Sequence, residues 1–272
     1  MKIDKTQIEL FNQNGYIIVD DFFNKQEISD FQTTLGKLIR SRLKKINKGD
    51  VIDNLFHDGL IELENYNHSF VADLYDTLSQ TTDFKRLTTK KELSTLINKL
   101  MGRDLDDPLY TYTCRCRIDP PKDNRRTYGW HQEVFYSIPN SRYLQTWAPL
   151  VDNASKENGT IEVCIGSHKQ GIAPQSWNEV SGRAVQIIVD EDIADSFKQK
   201  IIEMKVGSLL VFDYRLFHRS GDNLSNRVRY SLVGMFHDAT NPDFYSANIN
   251  FGYKNKTPRE YFDEIFSSRE KN

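Results

Sequence analysis

The stretch "GSLLVFDYRLFHRSGDNLSNRVRYSL", residues 207–232, holds two short apolar runs separated by a turn rich in Ser, Gly, Asp and Asn. Runs of that length, bounded by turn formers and carrying Val, Leu, Phe and Tyr, are strands rather than helices. The same pattern recurs at "LYTYTCRCRID" (109–119), "YLQTWAPLVD" (143–152), "GTIEVCIGS" (159–167) and "RVRYSLVGMFHD" (227–238). Short strands punctuated by Gly, Asn, Asp and Pro predict a β sandwich or barrel over about residues 106–240.

Upstream the period changes to that of helices. "DKTQIELFNQN" (4–14) places Ile8 and Phe11 at helical spacing, Gly15 stops the helix, and "YIIV" begins a short strand. "NKQEISDFQTTLGKLIRSRLKK" (24–45) spaces Ile28, Phe31, Leu35, Leu38 and Ile39 along one face of a long amphipathic helix. Further helices are expected over 69–80 and 90–101, so residues 1–105 are mainly α. Two more are expected later, over 191–203 and at 257–268, where Thr257 precedes Pro258 in the first turn. One domain is expected, mainly β with flanking helices.

At 272 residues the chain can bury a sizeable core without covalent staples. Its net charge of -2 offers no bulk attraction to nucleic acid or acidic membranes. Three cysteines form no disulfide framework, and Cys114 and Cys116 stand two apart, the wrong spacing for a CxxC site, so they are expected to pack. "MKIDKTQIELFNQNG" has charged and amide residues where a signal peptide needs an apolar stretch, and no run reaches the length of a membrane span. A soluble, cytoplasmic protein is the expectation. Nothing in the sequence fixes an oligomeric state.

Chemistry concentrates in "YGWHQEVFY" (128–136). On a strand, alternate side chains share a face, so His131 and Glu133 point together while Gln132 points away. That spacing permits metal chelation without requiring it, and core packing is the alternative. "YTCRCRI" alternates Arg115 and Arg117 with Cys114 and Cys116. If the arginines face inward they need anionic partners, and become candidate ligands of substrate or co-substrate. His57, His68, His168 and His237 lack a partner at ligand spacing; His168 is expected to bond its own turn, and His237 to lie past the last clear strand.

Three blocks complete the pattern: the His131-x-Glu133 pair, "NGTIEVCIGSH" (158–168), and His218 followed eleven places later by Arg229. Together with "FNQNGYIIVDDFF" (11–23) they resemble the phytanoyl-CoA hydroxylase-like (PhyH) family of Fe(II)- and 2-oxoglutarate-dependent oxygenases, over roughly residues 8–237. The resemblance implies a double-stranded β-helix, the jelly-roll or cupin-like core. It implies Fe(II) on His131, Glu133 and His218, with 2-oxoglutarate and O2 as co-substrates. Two imidazoles and a carboxylate on one face of a metal leave the other positions open, and zinc hydrolases use the same donor types.

By family spacing Arg229 anchors the distal carboxylate of 2-oxoglutarate, where a planar fork gives two charge-assisted hydrogen bonds. Ser220 would add a hydroxyl. Arg227, two residues earlier on the same expected strand face, is the competing anchor. Trp147 matches a tryptophan bordering the co-substrate, with core filling as the alternative. The family usually has Asp at the carboxylate position; Glu133 is one methylene longer, as in some related subgroups, and argues against the halogenating relatives that have Gly or Ala there. Hydroxylation of a small-molecule carbon, releasing succinate and CO2, is the implied activity. An inactive binding protein of the same ancestry and a zinc hydrolase remain alternatives. Lys122, Arg125, Arg126 and Arg219 flank the expected mouth and are read first as solvated loop charges, with contact to an anionic substrate as the alternative; residues 48–68 are a candidate lid.

Overall fold

The computed structural model describes residues 3–49, 51–111, 113–123, 125, 127–138, 141–174, 176–178, 185–242 and 244. The helix expected at 257–268 lies outside them, as does Arg126.

Local signals set the helical part. Helix α1 (Lys5–Asn14) is opened by Asp4, whose side chain and that of Gln7 cap each other's backbone, and closed by Gly15 at φ 83°. Strand β1 (Tyr16–Val19) follows, then α2 (Lys25–Lys45), opened by a second reciprocal cap between Asn24 and Glu27. Helices α3 (Leu60–Tyr66), α4 (Ser69–Ser79), α5 (Thr82–Thr88) and α6 (Lys91–Met101) complete this layer. Ile28, Phe31, Leu35, Ile39 and Leu43 of α2 are buried, the three-and-four spacing turned into one continuous contact face. No helix among the described residues is long and apolar enough to cross a membrane.

The strands come next: β2 (Leu109–Thr111), β3 (Arg115–Asp119), β4 (Tyr143–Pro149), β5 (Ile161–Cys164), β6 (Ser176–Asn178) and β7 (Gln186–Ile188). Helix α7 (Glu191–Asp195) intervenes before β8 (Gln199–Ile201), β9 (Leu209–Asp213), β10 (His218–Ser220) and β11 (Arg229–Asp238). The larger sheet runs β1-β9-β4-β11-β2, with β3 also on β11; a smaller one runs β10-β5-β8, and β6 pairs with β7. Every pairing is antiparallel. All of β4 and β9 are buried, because helices cover one face of the large sheet and the site covers the other, which is why β9 reads as a nearly continuous apolar run.

Several expectations change. The segment 191–203 is helical only to Asp195; its remainder pairs with β5 as β8, since the small sheet's edge offers backbone partners a helix would forgo. Within the stretch 48–68, residues 55–66 are helical rather than a loop: Leu55–Gly59 is a π-helical turn leading into α3, and Leu60 and Leu63 are fully buried. His57 in that turn is buried, its Nδ1 accepting the Val228 N–H at 3.0 Å and its Nε2 3.2 Å from Asp152. His168 bonds not its own turn but the Asn12 carbonyl in α1, at 3.2 Å. His237 lies on β11 rather than beyond it, buried opposite Tyr143, with Nδ1 2.8 Å from Ser141 Oγ.

Candidate active site

His131 and His218 are neighbours through their own backbones. The His131 N–H donates to the His218 carbonyl at 3.0 Å and the His218 N–H returns the bond at 3.1 Å. This closed pair of hydrogen bonds brings two segments 87 residues apart into register and sets the imidazole centroids 4.1 Å apart. Glu133 corrects the simple strand picture: it is the first residue of a 3-10 turn, Glu133–Phe135, not a strand position. The turn still aims its carboxylate at both rings, with Oε2 3.8 Å from His131 Nε2 and 3.7 Å from His218 Nε2. One donor atom from each of the three buried residues lies within 4.8 Å of the others.

The neighbours of these groups fix which atoms are offered. His131 Nδ1 is 2.8 Å from the Gly129 carbonyl and His218 Nδ1 2.9 Å from the Leu216 carbonyl. A carbonyl only accepts, so both Nδ1 atoms carry the proton and both Nε2 lone pairs face Glu133. Burial, then the adjacent His131, lowers the His218 pKa and keeps that ring neutral. Gln145 Nε2 donates to Glu133 Oε2 at 2.9 Å and pins the longer side chain. Two neutral imidazoles and a carboxylate, oriented by a second layer of bonds, fit a divalent metal.

A second charged cluster lies on the paired strands β3 and β11, where Arg229 is opposite Asp119. Arg229 is buried; its Nε and Nη2 donate to Asp119 Oδ2 at 3.3 and 3.0 Å. Arg117 Nη2 donates to the other oxygen, Oδ1, at 3.0 Å. Burial would raise Asp119, yet the two guanidiniums bring its carboxyl down to about 2. Arg229 Nη1 also reaches the carbonyls of Asn158 and Gly221, at 3.3 and 3.4 Å. Two loops must cross closely to present them: a Cβ on Gly159, at φ 77°, would stand 2.5 Å from the Gly221 oxygen. Arg227 does not share this face. It precedes β11, is exposed, and forks onto Asp152 at 2.6 and 3.0 Å.

One cavity of about 290 Å³ between the two sheets is lined by all eight candidates: His131, Glu133, His218, Arg229, Ser220, Trp147, Arg117 and Arg115. Gln145, Tyr128 and Tyr136 also line it and were not singled out from the sequence. Gln145 was findable, since it stands two before Trp147 on the same strand face. Asp119 was findable in the same way, two after Arg117. Of the flanking cations, Arg125 is held by Asp123 and Glu64, and Arg219 by Glu162 while its guanidinium lies 4.5 Å from the Trp130 ring. Lys122 is fixed through its backbone, at φ 59°, to Asn223.

Residues 11–231 match the family model for phytanoyl-CoA dioxygenase (PhyH), more than half of the chain. The chain belongs to the phytanoyl-CoA dioxygenase family. The ectoine dioxygenase of Stutzerimonas stutzeri (strain A1501) is 21% identical over 281 residues, covering 93% of this chain and 87% of its own. Among solved structures, EvdO2 from Micromonospora carbonacea var. aurantiaca complexed with 2-oxoglutarate superposes with a TM-score of 0.61 at 18% identity, covering 88% of this chain and 92% of that one. EctD from S. alaskensis with bound Fe gives 0.58 at 19%, covering 86% and 76%. The chain shares their fold. As a member of this family with a buried His-Glu-His set, it is an iron- and 2-oxoglutarate-dependent dioxygenase using O2.

Proposed function

We propose that His131 Nε2, Glu133 Oε2 and His218 Nε2 hold Fe(II), and that the enzyme hydroxylates a carbon of a small molecule. Arg229, with Ser220 and Arg117, binds the distal carboxylate of 2-oxoglutarate; Trp147 borders the co-substrate and Arg115 stands further out. The two facing sheets are read as a double-stranded β-helix, and the chain as one oxygenase unit whose helical layer backs the larger sheet. Bound Fe(II) supplies the oxidising chemistry, in which O2 and 2-oxoglutarate are consumed with release of succinate and CO2.

The chain's own residues bind, orient and exclude water. The Gly129 and Leu216 carbonyls hold the imidazole tautomers, and Gln145 holds the carboxylate. Asp119 keeps the buried Arg229 and half-buried Arg117 guanidiniums stable and correctly aimed. Phe212, Val233 and Met235 give the cavity an apolar wall that limits water near the reacting carbon. The observation carrying this reading is the convergence of eight candidates from five separate segments on one cavity, cation-binding groups at one place and guanidiniums at another. A zinc hydrolase has no use for the second cluster.

The test is anaerobic addition of Fe(II) and then 2-oxoglutarate. A visible charge-transfer absorption that bleaches on admitting O2, with succinate formed in proportion, is expected. Absence of both the absorption and 2-oxoglutarate consumption leaves the inactive binding protein standing instead.

A further inference from the structure

The metal cavity does not end at its guanidiniums. A second chamber of about 390 Å³ adjoins it, sharing Tyr75, Arg115, Arg117 and Tyr128 and adding Ala72 and Asp76 of α4. Asp119, Arg117 and Arg115 follow one another at steps of two along β3, opposite Arg229, Ser231 and Val233 of β11. They therefore share one face and lead from the interior outwards: Asp119 is buried, Arg117 half-buried and Arg115 exposed.

Their partners differ along that path. Arg117 is committed to Asp119. On α4, Asp73 is committed to Arg42 at 2.7 Å. Arg115 and Asp76 make no hydrogen bond or ion pair among the described residues, with each other or with anything else, although both line the outer chamber. An exposed guanidinium and an exposed carboxylate that line one chamber together with Tyr75 and Tyr128, without pairing with each other, match a ligand that carries both charges. The anionic end takes the planar fork of Arg115, and the cationic end takes Asp76 and an aromatic face.

We propose that the outer chamber selects a small zwitterion, a compound bearing both an anionic and a cationic group, and presents its uncharged part to the metal cavity. This rests on the dioxygenase reading for the fate of the bound molecule, not for its binding. Like-charged compounds meet a repelling group on one side, so the pair discriminates as well as attracts.

The experiment is isothermal titration of full-length protein, loaded with Mn(II) and 2-oxoglutarate under argon so that no turnover occurs. The probes are the common α-amino acids, each compared with its N-acetyl and its carboxamide derivative. Wild type is expected to bind at least one free amino acid, and masking either charge to weaken binding by about tenfold or more. In Arg115→Ala, masking the carboxylate should cost less than twofold while masking the amine still costs its full amount; Asp76→Asn should behave reciprocally. A merely structural role for either residue would not remove one masking effect and leave the other. The inference is overturned if no free amino acid binds, if masked and free forms bind alike, or if the variants keep both masking effects. Titration of 2-oxoglutarate and its aerobic consumption are measured on the same preparations. Their loss with zwitterion binding intact overturns the dioxygenase reading alone, and the converse overturns this inference alone.

Discussion

Two buried carboxylates, Glu133 and Asp119, line or border the same cavity, and each faces two basic side chains. The outcome is opposite because the bases differ. Imidazole can be neutral and present a lone pair, so the Glu133 cluster has one negative charge and three donors aimed at a common point, a site for a cation. Guanidinium stays charged and has no lone pair to give, so Asp119 sits between two fixed cations and the cluster attracts an anion. Under the proposed assignment, a ligand with a chelating end and a distal carboxylate would span both, which is the chemistry of 2-oxoglutarate.

The contrast breaks most completely at a metal donor. His218→Ala removes one of three donors, and its cost in metal affinity should exceed the roughly 100-fold upper range of changes one layer out. Anaerobic Fe(II) titration, with 2-oxoglutarate consumption falling to background, checks it. At the other cluster, Asp119→Asn leaves two guanidiniums without their buried counter-charge and should destabilise the fold by about 3–5 kcal/mol, read by urea unfolding. It should not weaken metal binding in the protein that remains folded.

The sequence carried the candidate donors and the candidate anchor but not their surroundings, and the reason is physical. His131, Glu133, His218 and Arg229 stand in sequence blocks that resemble those of the family, so they were legible as candidates, although the strand alternation expected of His131 and Glu133 gives way to a 3-10 turn. The strands themselves were legible from their apolar runs, although segment 191–203 kept a helical pattern where sheet pairing took over. The preference of Arg229 over Arg227 depends on where β11 begins, one residue after Val228, which periodicity does not resolve. His57 looked like a loop histidine because its partners, Val228 and Asp152, are supplied from remote sequence. The one-methylene excess of Glu133 is accommodated by a 3-10 turn and by Gln145, and neither is visible without the fold.

Smaller perturbations sharpen the comparison. Gln145→Ala frees Glu133 Oε2 from its 2.9 Å tether and should weaken metal binding by about 10–100-fold, leaving thermal stability near wild type. The acid limb of stability should report Asp119. Its carboxyl lies at about 2 in the folded protein against 3.8 ordinarily, so it stabilises the fold above pH 4 and that stability fades as pH falls towards 2. The contribution is about 2 kcal/mol. Unfolding free energies of wild type over this range should fall more steeply than those of a variant with Asp119, Arg117 and Arg229 replaced together by apolar residues.

The most direct measurement is titration of 2-oxoglutarate into Arg229→Ala preloaded anaerobically with Fe(II), beside Fe(II) titration of the same variant. If the two clusters serve metal and co-substrate separately, Fe(II) affinity stays within about threefold of wild type while 2-oxoglutarate affinity falls by at least about 30-fold, the low end for truncating one partner of a buried charged pair. Unaltered affinity for both, or the loss of both together, would contradict that division.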